Sequence, residues 1–298
     1  EAVLAAQFHA DSDDELRRLT ERLERRFAGR SGVLGVRVNL KSSSKDDFWK
    51  VRKAGLSLLM GMVGDAKPVA FVEDTAVDPA RLPEFYRRFE AIIHRHDTVG
   101  SCYGHADVGC LHIRPVLNTK DPRDVEKLRS IAREVADLVA EFGGAMSGEH
   151  GDGLARSGWN QRLFGPTVYA AFQTVKQAFD PLNRLNPGKV VAQPDPGTDL
   201  RQGPDYQVVE PTDLVFDYSD QGGFARAVEM CSGVGACRKT DGGTMCPSYM
   251  VTRDEDHSTR GRANLLRLVL SGALPADGLA SDDLDAALDL CLGCKACK

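Results

Sequence analysis

The chain has 298 residues, 42% hydrophobic and 27% charged, which is enough to bury a substantial core and to form about two domains. Its formal net charge is -5 with acidic and basic residues interleaved, which excludes the basic stripe of a nucleic-acid-binding protein. No apolar run approaches the ~20 residues of a transmembrane helix, because the longest, 56–64, is short and interrupted by glycine.

The first elements alternate between predicted strands and helices. Residues 2–10 are predicted to be extended, and apolar residues at helical spacing predict a helix through 16–27. Residues 68–74 then predict a second strand, and Pro83 marks the start of a second helix. This order favours a mixed fold rather than an all-helical one.

The next elements centre on a long helix. A glycine-rich, then extended stretch at 101–115 precedes Asp121, which is predicted to be the helix N-cap with Pro122 in the first turn. The residues predicted to be buried on this helix are Val125, Leu128, Ile131, Val135, Leu138 and Phe142. Residues 144–153 are too rich in glycine for a helix and predict a loop, and a last helix is predicted over 167–179.

The cysteines lie mostly near the end of the chain. Six of the eight fall between 231 and 297 in two groups, and without a secretion signal this favours metal binding in a cytoplasmic setting over disulfides. The residues that can ligate one [4Fe–4S] cluster are Cys291, Cys294 and Cys297 with Cys246, which precedes a proline. Cys231 and Cys237 leave a second cluster incomplete, because Val234 holds its middle position. A structural zinc site is the alternative.

Two histidines stand in the glycine-rich segment GHADVGCLHIRP. Because His105 and His112 are seven residues apart, they would point to opposite faces of one flat strand, so a turn at 107–109 must fold them together. Two imidazoles and the Glu149 carboxylate leave open positions on a divalent metal, Zn or Mn. His150 suits a general base. The alternative is that these are ordinary hydrogen-bonded histidines beside turns.

Three motifs carry a resemblance to a known family. In order, GHADVGCLHIRP, SGEHGDGLARS and FDPLNRLNPGKVV resemble the C-terminal region of FAD-linked D-2-hydroxyacid dehydrogenases, which include D-2-hydroxyglutarate and D-lactate dehydrogenases. The similarity spans residues 1–192. The cysteine segment, with the predicted helix at 257–270 between its two groups, resembles the ferredoxin-like domain of succinate dehydrogenase iron–sulfur subunits and of the iron–sulfur parts of glycolate and glycerol-3-phosphate dehydrogenases.

The resemblance implies roles for particular residues. It implies that His105, His112 and Glu149 bind the metal and that His150 removes the hydroxyl proton of the substrate. It further implies that Arg52 and Lys67 bind the substrate and that Asn186 lies near the flavin or the substrate. Arg114 stands where the family motif has asparagine, and its positive charge makes it a third candidate for substrate binding.

The predicted architecture is α+β. A ferredoxin-like substrate or cap domain with an antiparallel sheet and helices is expected over 1–192, a linker over 193–222, and a small α-helical iron–sulfur domain over 223–298. Because the chain starts without methionine and stops one residue after Cys297, we expect it to be an excised piece. The main FAD-binding domain is expected upstream, so the fragment alone is predicted to be inactive.

The predicted function is oxidation of a D-2-hydroxyacid to the 2-oxoacid, with D-2-hydroxyglutarate ranked ahead of D-lactate. Electrons are expected to pass through FAD to the [4Fe–4S] cluster and on to a quinone, a cytochrome or an electron carrier protein. The alternative is an electron-transfer subunit with no substrate chemistry of its own. The expected location is cytoplasmic, and the sequence leaves open peripheral association with the inner face of the membrane and a homo-oligomer.

Overall fold

The computed structural model describes residues 2–40, 42–241, 245–274 and 278–297, and it divides into two compact units, 1–59 and 60–298. In the first unit, α1 spans Asp13–Phe27, and the hydroxyl of Ser12 caps it by accepting from the Glu15 amide. α2 spans Ser42–Met60. The predicted helix at 16–27 is confirmed. The predicted strand at 2–10 is wrong, because this mostly exposed segment has no strand partner among the described residues and so makes no sheet ladder.

The second unit contains a four-stranded antiparallel sheet centred on one long strand. β3 (Gly100–His105) and β4 (Cys110–Leu117) form a hairpin. Two short strands, β1 (Lys67–Pro68) and β2 (Thr75–Ala76), pair with opposite ends of β4. The single strand predicted at 68–74 is therefore only partly correct, since the chain leaves the ladder between β1 and β2 and turns at Asp74, whose φ is +74°.

The core lies on one face of β4. Its odd-numbered residues Leu111, Ile113 and Leu117 pack with buried side chains of α3 (Leu82–Arg95) and α4 (Pro122–Glu141). Asp121 caps α4 as predicted, and every side chain predicted to be buried on that helix is buried. The even-numbered residues of β4 point to the opposite face, because side chains alternate along a strand. That opposite face carries the polar residues considered below.

The remaining elements are helical. α5 spans Gly153–Arg156 and α6 spans Asn160–Phe179, with a break at Gly165 (φ 76°) before Pro166, so the regular helix begins close to the predicted position. Residues 193–222 contain only one short 3₁₀ turn. The four helices that follow are α7 (Phe224–Glu229), α8 (Pro247–Thr252), α9 (Thr259–Leu270) and α10 (Asp282–Asp289). The predicted mixture of helices with an antiparallel sheet is confirmed.

Ion pairs attach α7 to the sheet region of the second unit. The Lys120 ammonium lies 2.7 Å from a Glu229 carboxylate oxygen and 3.1 Å from Asp65, and Arg226 donates to Asp65 at 2.7 Å. The Arg226 hydrogen bond is the main reason that the pKa of Asp65 is lowered to about 2. Among the described residues, no helix is both long and apolar enough to cross a bilayer.

Candidate active site

The β3–β4 hairpin brings two histidines onto one face. His105 pairs with Cys110, and Tyr103 pairs with His112, so these four side chains share the face opposite the core. The connecting turn contains Gly109 at φ +72°, where a Cβ would lie 1.8 Å from the carbonyl oxygen of Val77. The predicted turn is thus confirmed, and the His105 and His112 rings have centroids 5.7 Å apart.

Asp74 holds the glycine-rich loop at 144–153 against this face. Its buried carboxylate accepts hydrogen bonds from the Ser147 hydroxyl at 2.6 Å and from the backbone amides of Glu149 at 3.0 Å and His150 at 2.8 Å. Burial favours the neutral acid, but these hydrogen bonds outweigh it and lower the pKa of Asp74. The carboxylate therefore fixes the backbone from which Glu149 and His150 project.

The Glu149 carboxylate lies among three histidines. Its oxygens are 3.8 Å from His105 Nε2, 3.5 Å from His112 Nε2 and 3.8 Å from His150 Nε2. Atoms able to ligate a metal also lie within 4.8 Å of one another in Asp74, His112, Glu149 and His150. Because Asp74 already accepts several hydrogen bonds, His112, Glu149 and His150 remain available from this group, and His105 lies outside it while contacting Glu149.

His112 has the character of a metal ligand. The ring is 2% exposed, and its Nδ1 is buried without a hydrogen-bond partner in the described structure. Such an unsatisfied atom is uncommon in a folded protein, but the ring nitrogen that faces Glu149 is the other one, Nε2, at 3.5 Å. Burial lowers the pKa of His112, which keeps the imidazole neutral as metal binding requires. Two imidazoles and a carboxylate fit a divalent ion such as Zn or Mn.

His150 stacks on His112 and contacts a second carboxylate. The two rings are 5.0 Å apart and inclined by 9°. His150 Nδ1 lies 3.4 Å from an oxygen of Glu73, whose other oxygen accepts from Arg114 Nε at 2.8 Å and Nη2 at 2.7 Å. The Arg114 guanidinium is buried against Glu73 on the same face as His112.

Comparison with known proteins places this site in a family. Residues 1–190 match the family described as FAD linked oxidases, C-terminal domain. The chain belongs to this family.

The curated relatives that the chain resembles are longer proteins. The chain is 32% identical to the D-2-hydroxyglutarate dehydrogenase of Escherichia coli, over 96% of the chain and 31% of that protein. It is 38% identical to that of Pseudomonas putida over 78% of the chain and 23% of the relative. The D-lactate dehydrogenase of Archaeoglobus fulgidus is 32% identical over 54% of the chain and 34% of the relative. The chain thus spans about a third or less of each of these proteins.

The E. coli similarity extends past the family match. Coverage of 96% of the chain is more than residues 1–190 can provide, so the similarity continues into the cysteine-bearing segment.

The two other residues predicted to bind the substrate of this FAD-linked oxidase domain are Lys67 and Arg52. Lys67 pairs with Leu117, which is on the core face of β4, and its ammonium contacts the Met62 carbonyl and lies 3.5 Å from the Met230 sulfur. The structure therefore does not bring Lys67 to the histidines. Arg52 lies on α2 in the first unit. The substrate roles of both residues stay predictions.

Asn186 lies in the turn that follows α6. Its φ of +47° is in the left-handed region that asparagine tolerates better than most residues, as expected for a turn. Its Oδ1 is 3.5 Å from the Lys189 ammonium. The predicted contact with flavin or substrate stays a prediction.

The cysteines that flank the C-terminal helices differ in exposure. Cys246 is buried, donates to the His257 carbonyl at 2.9 Å and lies 3.3 Å from Arg262 Nη1. Burial favours the neutral thiol, but hydrogen bonds from the Tyr249 amide and Arg262 outweigh it and lower the pKa of Cys246. The three cysteines that are exposed in this region are Cys291, Cys294 and Cys297.

Two hydrogen bonds link residues near Cys246 to residues that precede Cys291. The Ser248 hydroxyl donates to the Leu290 carbonyl, and Arg262 Nε donates to the Ala287 carbonyl at 2.8 Å. No three cysteine sulfurs of the described chain lie within 4.8 Å of one another. A tetrahedral zinc site would need sulfurs about 3.8 Å apart, given Zn–S bonds of about 2.3 Å. A preformed zinc site is therefore not observed among the described residues.

Sequence reasoning missed the two acids that support the site. Glu73 and Asp74 follow an apolar run directly, and the structure buries both. Carboxylates are rarely buried unless they are paired or hydrogen-bonded. Two adjacent acids at the end of a predicted buried strand were thus a usable signal of a polar network.

Proposed function

We propose that this chain is the substrate- and metal-binding portion of an FAD-dependent dehydrogenase that oxidises a D-2-hydroxyacid to the 2-oxoacid. The observation that carries the proposal is the convergence of His105, His112 and His150 on Glu149. The family match supports the flavin, and the names of the relatives support the class of substrate. D-2-hydroxyglutarate is preferred to D-lactate, because the relatives that cover most of the chain are named for the former.

The residues divide the chemistry among them. When bound, FAD supplies the acceptor for the hydride of the hydroxyl-bearing carbon, and a divalent metal supplies a Lewis acid for the hydroxyl and carboxylate oxygens. His105, His112 and Glu149 would hold that metal. His150 Nε2, which faces Glu149, takes the proton of the substrate hydroxyl. Loss of one proton and one hydride converts the hydroxyacid to the oxoacid.

Positive charge near the site would orient an anionic substrate. Arg114 lies on the same strand face as His112, although Glu73 already neutralises much of its charge. Arg52 is proposed to bind a substrate carboxylate. The second carboxylate of D-2-hydroxyglutarate would require such a cation, since paired Arg–carboxylate hydrogen bonds are strong and directional.

The cysteine segment is proposed to carry the electrons away. Cys246, Cys291, Cys294 and Cys297 would ligate one [4Fe–4S] cluster, with Cys231 and Cys237 left for an incomplete second one. The hydrogen bonds from Ser248 to Leu290 and from Arg262, which also contacts Cys246, to Ala287 support this assignment. Anaerobic reconstitution with iron and sulfide should give broad visible absorption that dithionite bleaches. A zinc site would give neither.

The metal site can be tested on the chain itself. Calorimetric titration with Zn²⁺ and with Mn²⁺ should show one site in the wild type, and His105→Ala and Glu149→Ala should each weaken binding at least ~10²-fold. His94→Ala is the matched control, because His94 is exposed on α3 and should leave binding unchanged. Equal affinity in all variants would contradict the metal assignment.

The substrate class can be tested on the complete FAD-loaded protein. A screen of 2-hydroxyacids of both chiralities should give turnover with D-2-hydroxyglutarate above D-lactate and none with the L-isomers. If no 2-hydroxyacid reduces the flavin, the electron-transfer subunit becomes the better description.

A further inference from the structure

Glu73 is a buried carboxylate whose two oxygens have different partners. Its side chain is 8% exposed, and burial of a charge is costly unless the charge is paired. One oxygen accepts both hydrogen bonds from Arg114, from Nε at 2.8 Å and from Nη2 at 2.7 Å. The other oxygen lies 3.4 Å from His150 Nδ1. Arg114 thus holds the carboxylate in place, and its free oxygen faces the imidazole.

This contact favours one tautomer of His150, because Nδ1 lies nearer to Glu73, at 3.4 Å, than Nε2 lies to Glu149, at 3.8 Å. A carboxylate beside Nδ1 favours a proton on that nitrogen, which leaves the lone pair on Nε2. Nε2 is the nitrogen on the side of Glu149, 3.8 Å from its carboxylate. The unprotonated nitrogen therefore faces the position of the metal and the substrate hydroxyl.

The same short segment also fixes the ring in space. Asp74, next to Glu73 in the chain, accepts the backbone N–H of His150 at 2.8 Å. The His112 ring also stacks on the His150 ring with a 9° inclination. Two adjacent acids thus hold His150, one through its backbone and the other through its ring.

We propose that Glu73, held by Arg114, is the positioning residue of the base His150. It keeps the proton on Nδ1 and directs Nε2 at the substrate hydroxyl. The inference rests on the proposed function, because it assumes that His150 removes this proton. The carboxylate neither contacts the substrate nor takes the proton itself, which is the relation of the aspartate to the histidine in hydrolase triads.

The test compares the same substitution, glutamate to glutamine, at two positions of the complete FAD-loaded protein. Glu73→Gln should lower kcat by ~10²-fold, with KM and bound metal changed less than about twofold, since it removes orientation of a general base rather than binding. Glu134→Gln is the matched control, because Glu134 also joins a histidine and an arginine, His96 at 2.7 Å and Arg95, on α4. It should leave kcat unchanged.

A double-mutant cycle separates positioning from a purely structural role. In a His150→Gln background, Glu73→Gln should cause less than about a threefold further loss, because residues that act as a unit are not additive. Persistence of the full ~10²-fold loss in that background would overturn the proposal. An unchanged kcat for Glu73→Gln alone would also overturn it.

Glu73→Gln leaves the buried Arg114 without a charged partner. If this prevents folding, a second variant tests the same point. Glu73→Asp keeps the charge beside Arg114 but is one methylene shorter, so it should show a kcat loss of at least about fivefold with metal retained. A wild-type kcat for Glu73→Asp would count against positioning. If the wild-type protein oxidises no 2-hydroxyacid, the proposed function has failed instead, and the two failures are distinct.

Discussion

The histidine cluster and the cysteine segment present their ligands in opposite ways. His112 is buried, and Glu149 projects from a loop that Asp74 fixes by accepting from three different donors, so the fold itself holds Glu149 beside the histidines. Three of the four cysteines proposed for the complete cluster are exposed, and no three sulfurs converge within the described residues. A preorganised site loses little conformational entropy when its ligand binds. The cysteine segment must instead become ordered when it binds its cofactor.

The largest expected effect concerns Cys246, the one buried cysteine of the proposed cluster. Cys246→Ser should abolish the visible absorption of the reconstituted chain, because it removes a thiolate that Arg262 and the Tyr249 amide stabilise. Cys102→Ser, an exposed cysteine on β3, is the control and should keep the absorption. Divalent-metal affinity at the histidines should be unchanged in both. Loss of that affinity in Cys246→Ser would show that the two regions are not independent sites.

Metal removal should affect the two regions differently. At a free metal concentration of about 100 Kd, binding to the folded state alone should stabilise the sheet region by about 2.7 kcal/mol, and EDTA should reverse this. Chemical denaturation with and without metal measures the effect. Without the iron–sulfur cluster, proteolysis around 291–297 should stay unchanged by divalent metal. Protection there by Zn²⁺ or Mn²⁺ would instead indicate that the cysteines bind the ion.

Asp74→Asn tests how far the histidine cluster depends on its supporting carboxylate. Asparagine keeps the size of the side chain and tolerates the left-handed φ of +74°. Its NH₂ group, however, would face N–H donors that hydrogen-bond to the carboxylate in the wild type. We expect a loss of about 2 kcal/mol in the free energy of unfolding, measured by denaturation. Metal affinity should fall about 10- to 100-fold. Unchanged affinity would mean that the loop holds its position without Asp74.

The smallest expected effect concerns the attachment of α7, which ends just before Cys231. The pKa of Asp65 is lowered to about 2 by Arg226, so the carboxylate stabilises the folded state above the unfolded pKa and loses this contribution as the pH falls through about 2. Asp65→Asn should therefore be about 1 kcal/mol less stable near pH 7 and converge with the wild type near pH 2. A difference that grows toward low pH would contradict this sign.

Local patterns predicted much of the fold. The apolar spacing and the Asp121–Pro122 start of α4 depend only on neighbouring residues, as does the helix predicted at 257–270, and the structure confirms these features. The strand predicted at 2–10 failed because a strand requires a partner, and apolar alternation cannot supply one. The same limit explains why the strand predicted at 68–74 is replaced by two short strands at its edges, 67–68 and 75–76, with a turn at Asp74.

The candidate site was predicted only in part, again because the local sequence does not report long-range contacts. The turn between His105 and His112 could be anticipated from spacing, and their convergence with Glu149 is observed. Asp74 can support the loop at 144–153, and Glu73 can pair with Arg114, only because the fold brings distant segments together at β4. The spacing of residues along the sequence does not reveal such long-range contacts. The separation of Lys67 from the histidines follows from its pairing with Leu117, a matter of long-range register.

The most direct test is the D-2-hydroxyglutarate-dependent rate of the complete FAD-loaded protein with His150→Gln beside the wild type. We expect the variant to keep its metal and its FAD while kcat falls by about 10²- to 10⁴-fold, because only proton removal is lost. A wild-type rate in His150→Gln would contradict the assignment of the histidine cluster as the catalytic site.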